Sequence, residues 1–484
     1  MAEGKTGLPE FHPQTVLRDW GDGHAFRLSD AQTGVCVFGA TGSGKTSGPA
    51  KHLAYGYLAE GFGGLVLCAK KEERRQWENW AAECGRSEDL VIVDKSATWR
   101  FNFLDWEASR PEEGGGLTIN IVNLLDEIAQ AISGGNGDKG NEKFWEDALR
   151  HMMSNLVDLP VLAGIPFTLS MLSSILNSAP QNAQQLADAE WDAKSDCASA
   201  LRAAEEATRK ADPQIRADYA ECEKYWRKEF PNLSEKTRSI IVLMFSMLAR
   251  SFNTRPLRQI FSDSTNIKPE DTFDGKIIIV DIPVQEFRLV GRMANLAWKY
   301  CFQIAVLRRV QPAQGYLRPV FLWADEAQNF VTRFDAEYQA VARSAGGCTV
   351  YLTQNRESYR RVLGNADAVD SLLGNLQCKF FCQNTGDTNE WASKLLGERY
   401  IKINSTNVSQ QQHDRNQDQT PNTSGVSRSE QKRHFVEAAT FTTLKRGGPI
   451  FDYRVECIVY NGGHLFPSGN GGVLPCKLLT FNQR

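Results

Sequence analysis

The chain has 484 residues, 42% hydrophobic and 23% charged, which is the composition of an ordinary globular protein of two or three domains. Its formal net charge of −3 excludes a globally basic nucleic-acid binder, so any surface for phosphate backbones must be a local groove or pore. Eleven cysteines without paired spacing exclude a disulfide scaffold and indicate reduced, buried thiols; Cys378 and Cys382 lack the second Cys/His pair of a tetrahedral zinc site.

Residues 1–30 read as an N-terminal extension, and "MAEGKTGLPEFHPQ" has no apolar core of a signal peptide. The first part of a nucleotide-binding domain is expected over residues 31–116. There "GVCVFG", "GGLVLCA" and "DLVIVD" are short apolar strands, and "KTSGPAKHLAYGYLAEG" and "KKEERRQWENWAAECG" have helical spacing. Apolar strands alternating with helices indicate a parallel sheet covered on both faces.

Residues 117–262 carry helical patterns almost exclusively, as in "EKFWEDALRHMMSNLVDLP" and "SEKTRSIIVLMFSMLARSF", and read as an inserted all-α domain. Residues 187–228 alternate acids and bases and are expected as a solvated helical hairpin. The longest apolar run, "SIIVLMFSMLA", is too short to span a bilayer. The chain is therefore expected to be soluble and cytoplasmic.

From residue 263 to 484 the α/β pattern returns, with strands "GKIIIVDIPV", "PVFLWAD", "CTVYLTQ" and "CKFFCQN" and the helix "GRMANLAWKYCFQIAVLRRV". Residues 404–428 are polar, rich in Gln and Asn, and read as a mobile loop or linker. The tail "FDYRVECIVYNGGHLFP" reads as short strands about a Gly-Gly turn. The fold class is thus α/β: a mainly parallel central sheet of a phosphate-loop NTPase, interrupted by an all-α insertion.

Gly39, Ala40, Thr41, Gly42, Ser43, Gly44, Lys45 and Thr46 fit G-x-x-x-x-G-K-[ST] between a strand and a helix. The glycines let backbone N–H groups close around phosphates, Lys45 supplies charge to the β/γ oxygens, and Thr46 ligates Mg²⁺. At the end of "PVFLWAD", Asp325 is placed to hold Mg²⁺ through water and Glu326 to orient and deprotonate the attacking water. The adjacent acids favour hydrolysis over nucleotide sensing, with ATP and Mg²⁺ as cofactors. Gln354 ends the next strand, where it either senses the γ-phosphate or only caps the strand. Arg343, on the helix between these strands, cannot easily reach its own phosphate loop; it is either a solvated helix-terminal residue or a finger for a neighbour's site.

Taken together, these stretches resemble the coupling proteins of type IV secretion and conjugation, the TraG/TraD kind of hexameric, RecA-like DNA-pumping ATPase related to the FtsK/HerA motors. "VFGATGSGKTSG" is similar to the family's phosphate loop, and "AKKEERRQW" places Lys70 and Glu73 at its lysine–acid positions. "NEKFWEDALRHMMSNL", "FLWADEAQNF", "ARSAGGCTVYLTQNRESYRRVLG" and "NLQCKFFCQNTGDTNEWASKLLGE" follow the family's order and spacing. The resemblance implies that Arg343 is a trans-acting finger and Gln354 a catalytic glutamine. It also implies a homohexamer with DNA in a central pore and a relaxase or secretion-channel protein as partner. Family members usually begin with a membrane anchor, and none is legible here, so the resemblance implies either recruitment to the inner membrane by a partner or a related motor put to cytosolic use. The competing reading is a cytosolic recruitment or signalling ATPase of a mobile-element or defence complex, without processive DNA movement. A metabolic kinase would need an acceptor-substrate site, and no motif supplies one.

Overall fold

The computed structural model describes residues 8–21, 24–110, 117–133, 142–261, 264–409, 423–468 and 472–484. Its centre is a nine-stranded sheet. In chain order the strands are β1 (Val35–Phe38), β2 (Gly63–Leu67), β3 (Leu90–Val93), β4 (Ile277–Val280), β5 (Val320–Ala324), β6 (Gly347–Thr353), β7 (Cys378–Phe381), β8 (Arg454–Asn461) and β9 (Cys476–Asn482). Across the sheet they run β9-β8-β7-β1-β6-β5-β2-β4-β3. β1 to β7 pair in parallel, and β8 is antiparallel to both β7 and β9.

The sequence pattern follows this order. β1, β2, β4, β5, β6 and β7 are buried at every position, as apolar strands covered on both faces must be. β9 lies at one edge and alternates buried with exposed positions instead. The tail strands β8 and β9 extend the central sheet beyond β7.

One face is covered by the helices Lys51–Ala59 and Glu72–Glu83, whose Leu53, Tyr57, Trp77 and Trp80 pack against Phe321 and Trp323 of β5. The other face receives the helices Val284–Leu307, Phe334–Ala342 and Ala366–Asn375. That core continues into Thr118–Ser133, Glu142–Ala163, Asp196–Thr208 and Glu235–Phe252. The helices between β3 and β4 therefore share apolar packing with the sheet. A buried carboxylate stitches the joint: Glu107 accepts both Arg308 bonds (2.8 and 2.7 Å) and one from Asn120 (2.9 Å).

Two local expectations change. The charged stretch does form a hairpin of helices, Asp196–Thr208 and Pro213–Lys224, but its inner side is not solvated. Cys197, Leu201, Ala204, Cys222 and Trp226 are buried, because the small and apolar residues recur at helical spacing beneath the charges. Within the expected polar loop at 404–428, the described residues 404–409 and 423–428 are strand instead: Glu398–Ser409 and Thr423–His434 pair antiparallel over their full length. Residues 410–422 lie outside the described residues. All eleven cysteines are free, and ten of them are buried.

Candidate functional site

Because β1, β5, β6 and β7 are parallel and in register, the segments that follow them leave the sheet at one edge. Those segments are the phosphate loop, the acid pair, Gln354 and Gln383. β6 lies between β1 and β5, so Gln354 emerges between the phosphate loop and the acids.

The phosphate loop is a tight cradle. Gly42 and Gly44 have φ of +73° and +82°, where a side chain would be strained. A Cβ on Gly44 would also meet Val455 Cγ2 at 2.5 Å and the Arg446 carbonyl oxygen at 2.9 Å, and one on Gly39 would strike Ser43 Oγ. The loop is pinned from β6 and β7, with Gly39 N donating to Thr353 O (3.2 Å) and Ala40 N to Gln383 O (2.9 Å). The helix behind it opens with a π-type turn over Thr46–Ala50, which carries Pro49, before the regular helix begins. Ser43 Oγ is buried without a hydrogen-bond partner among the described residues, an unmet polar group at the floor of the cradle.

Around it the predicted residues converge. Thr46 Oγ1 donates to Asp325 Oδ2 at 2.9 Å, which brings together the two groups expected at a metal. The Lys45 amine is buried and lies 3.8 Å from Glu326 Oε1. Glu326 also accepts from Lys70 Nζ (2.8 Å), Gln328 Nε2 (2.8 Å) and Gln354 Nε2 (3.3 Å). Its backbone is held at φ +51°, an uncommon conformation for a side chain of this size, and its N–H donates to Asp325 Oδ1 (2.8 Å). The site therefore offers buried cationic and N–H donors for a triphosphate, and a hydroxyl with a carboxylate for a divalent cation. Those residue types suit a magnesium nucleotide.

The electrostatics follow from the contacts. Burial would raise the Glu326 carboxyl, but hydrogen bonds from Lys70 and Gln328 and the charge of Lys45 hold it below the usual range. Burial would lower the Lys70 amine, yet Asp325 and Glu326 outweigh it and raise it. Glu73 goes the other way: burial first, and then the Asp325 charge, push it well above the ordinary carboxylate value. One of its oxygens accepts from Ala69 N at 2.8 Å and the other has no partner.

Burial and the neighbouring Asp325 thus disfavour ionisation of Glu73 in the folded protein. Its folded pKa lies above its unfolded one, so it weakens the fold as pH rises from the ordinary carboxylate range toward that raised value. Glu73→Gln, which cannot ionise, should escape this loss. The melting temperature of the variant relative to wild type is expected to rise as pH climbs above the ordinary carboxylate range. A difference that shrinks as pH climbs would show an ionised Glu73.

The structure separates Arg343 from this constellation. It lies on the turn Arg343–Ala345 before β6, while Gln354 lies beyond the other end of that strand. Seven strand residues put the two ends roughly 20 Å apart. Arg343 is exposed and has no side-chain hydrogen bond or ion pair among the described residues. Its helix is anchored by a buried polar network in which Asp335 accepts from Lys299 Nζ, Gln303 Nε2 (2.8 Å), Tyr351 OH and Thr332 N (2.6 Å). Thr332 closes the loop that follows the acid pair, so one network ties that loop to the base of the Arg343 helix.

Sequence reasoning missed several members. Gln328 bridges Glu326 to Thr353 Oγ1 (3.0 Å), and Asn384 Nδ2 donates to the Gln354 carbonyl (2.6 Å). From the tail, Val455 packs on the phosphate-loop glycines and Gln483 Nε2 donates to Ser47 Oγ (2.6 Å). Gln328, two residues after Glu326, carried a local signal; the tail residues carried none.

Comparison with known proteins bears on the fold. The family model described as "TraM recognition site of TraD and TraG" matches residues 319–446. No curated protein sequence matches the chain. Among solved structures, the bacterial conjugative coupling protein TrwBdeltaN70 in its unbound monoclinic form superposes with TM-score 0.61 at 14% identity, covering 99% of this chain and 90% of that one. TrwB in complex with the non-hydrolysable ATP analogue ADPNP gives 0.59 at 15% identity, covering 98% and 91%. TrwB in complex with ADP and Mg²⁺ gives 0.58 at 14% identity, covering 95% and 87%. The chain thus resembles the conjugative coupling proteins in sequence over residues 319–446 and in RecA-like fold over nearly its whole length. Among the described residues no helix is long and apolar enough to cross a membrane.

Proposed function

We propose that the protein is an ATP-hydrolysing motor of the coupling-protein kind, moving DNA or DNA with attached protein through a homohexameric ring. The observation that carries this reading is the meeting of Lys45, Thr46, Asp325, Glu326 and Gln354 at one sheet edge, with Arg343 exposed at the other. The nucleotide-bound TrwB structures support ATP and Mg²⁺ as the ligands.

In this reading the phosphate-loop N–H groups and Lys45 hold the β- and γ-phosphates, and Thr46 and Asp325 hold Mg²⁺. The bound ion neutralises charge developing on the phosphate oxygens. Glu326 orients the attacking water and accepts its proton. Its carboxylate already receives three hydrogen bonds, of which the one from Gln354 is the longest. Release of that bond frees an oxygen for water and turns Gln354 toward the γ-phosphate. Arg343 acts on the site of a neighbouring subunit, since its own lies a strand length away.

The test is ATP turnover by the full chain with and without DNA, together with displacement of a roadblock bound to that DNA. Salt-sensitive stimulation and roadblock displacement are expected. Turnover that ignores DNA at every concentration would remove the motor reading. One observation favours the second reading, a recruitment or signalling ATPase: the matched family is named for recognition of a partner protein. In that case turnover would respond to a TraM-like or relaxase partner, and the roadblock would stay in place.

A further inference from the structure

The hairpin Glu398–Ser409 and Thr423–His434 is the longest structure that the catalytic site does not use. It forms its own two-stranded sheet, and none of its residues with a described side chain is buried. Twelve residues per strand make a ribbon about 40 Å long. A two-stranded hairpin with no packed face is marginal by itself in water, so it gains from contact with something outside the core.

Its charge says what. In a chain of net charge −3, these strands carry Arg399, Lys402, Arg428, Lys432 and Arg433 against only Glu398 and Glu430. Both acids are already opposed by cations: Glu398 pairs with Lys432, and Glu430 stands across from Lys402. Arg399 and Arg433 are directly opposite each other, an arrangement that repels, and neither has an ion pair among the described residues. The Arg399 guanidinium lies over the Phe435 ring, 5.7 Å from its centre. On the reverse face Tyr400, 71% exposed, stands opposite Lys432. Arg399 and Arg433 on one face suit a phosphate backbone, and exposed Tyr400 on the other offers a ring to a base of a single nucleic-acid strand that wraps the ribbon's edge; an acidic protein face would leave that ring unused.

The root of the ribbon reaches the catalytic edge. Phe435 N donates to Gly397 O (3.0 Å) where the strands meet, and Ser393 Oγ donates to Val436 O (2.6 Å). Asn389 Nδ2, also buried, donates to Asn384 O (2.8 Å) and to Ala438 O (3.4 Å). Asn384 in turn holds the Gln354 carbonyl.

We propose that this ribbon is a nucleic-acid arm: Arg399 and Arg433 hold the phosphate backbone of a single strand, and its occupancy acts on Gln354 through Asn389 and Asn384. The inference rests on the DNA-dependent ATPase reading above. The full chain and its Arg399→Glu/Arg433→Glu double variant are titrated with a labelled oligo-dT of about 30 nucleotides between about 50 and about 200 mM salt, and ATP turnover is read with and without it. The variant should bind at least tenfold more weakly, with a salt slope shallower by about 1 to 2. Its turnover without oligonucleotide should equal wild type, and stimulation should be lost. Arg399→Lys/Arg433→Lys should keep binding, and equal melting temperatures for all three proteins exclude a folding defect.

Wild-type affinity, slope and stimulation in the charge-reversed variant would overturn the arm and leave the motor reading standing. A wild-type protein that neither binds nor responds to the oligonucleotide overturns both. Loss of assembly in sedimentation before DNA is added would overturn the arm in favour of a contact between subunits.

Discussion

Arg343→Ala is expected to bind ATP as tightly as wild type and to hydrolyse it on the order of a thousandfold more slowly. Arg343 stands at the end of β6 away from Gln354, roughly 20 Å from the edge that holds the phosphate loop, so it cannot neutralise transition-state charge in its own subunit. It is exposed and unpaired among the described residues, as a group kept for a neighbour would be. Mixing subunits gives the sharper readout. Arg343→Ala retains Lys45, and Lys45→Ala retains Arg343, so a mixed ring contains interfaces at which both groups are intact. Two inactive proteins should therefore recover part of the wild-type turnover when combined. Wild-type turnover by Arg343→Ala alone would end the finger assignment, and no recovery on mixing would end its action in trans.

Glu326→Gln should likewise bind the nucleotide while losing a hundredfold or more in single-turnover hydrolysis. Among the described residues, the Glu326 carboxylate is the group at the edge that pairs with two cations, Lys70 and Lys45, and also touches Gln354. An amide keeps the shape but cannot take a proton from water. Its one amide oxygen can still accept from Lys70, and its NH2 can donate to the Gln354 amide oxygen once that amide turns over, so binding and fold should survive. A rate within about threefold of wild type would remove Glu326 as the base.

These two outcomes bear on different layers of legibility. Gly39 to Thr46 and the pair Asp325–Glu326 were readable because each function is packed into a few consecutive residues. Local spacing is enough to place N–H groups, a lysine and a hydroxyl around phosphate. The apolar strands were readable for a similar reason, since burial on both faces demands unbroken runs such as "VCVF" and "GCTVYLT". The ribbon was misread because its apolar alternation, Ile401 and Ile403 about Lys402, is too short to mark a twelve-residue strand in a stretch otherwise rich in Gln, Asn and Ser.

By itself, then, the sequence determined the phosphate loop, the acid pair, the α/β alternation with its helical interruption, and the likeness to coupling proteins. All of these are properties of neighbouring residues or of their order along the chain. Only the tertiary structure decided that Gln328 and Gln354 share Glu326, that Val455 and Gln483 close over the loop, and that Asn384 ties Gln354 to the root of the ribbon. It also decided that Arg343 faces away from its own site. These relations depend on strand order, and β6 falling between β1 and β5 is set by the packing of the whole sheet, which no short stretch of residues encodes.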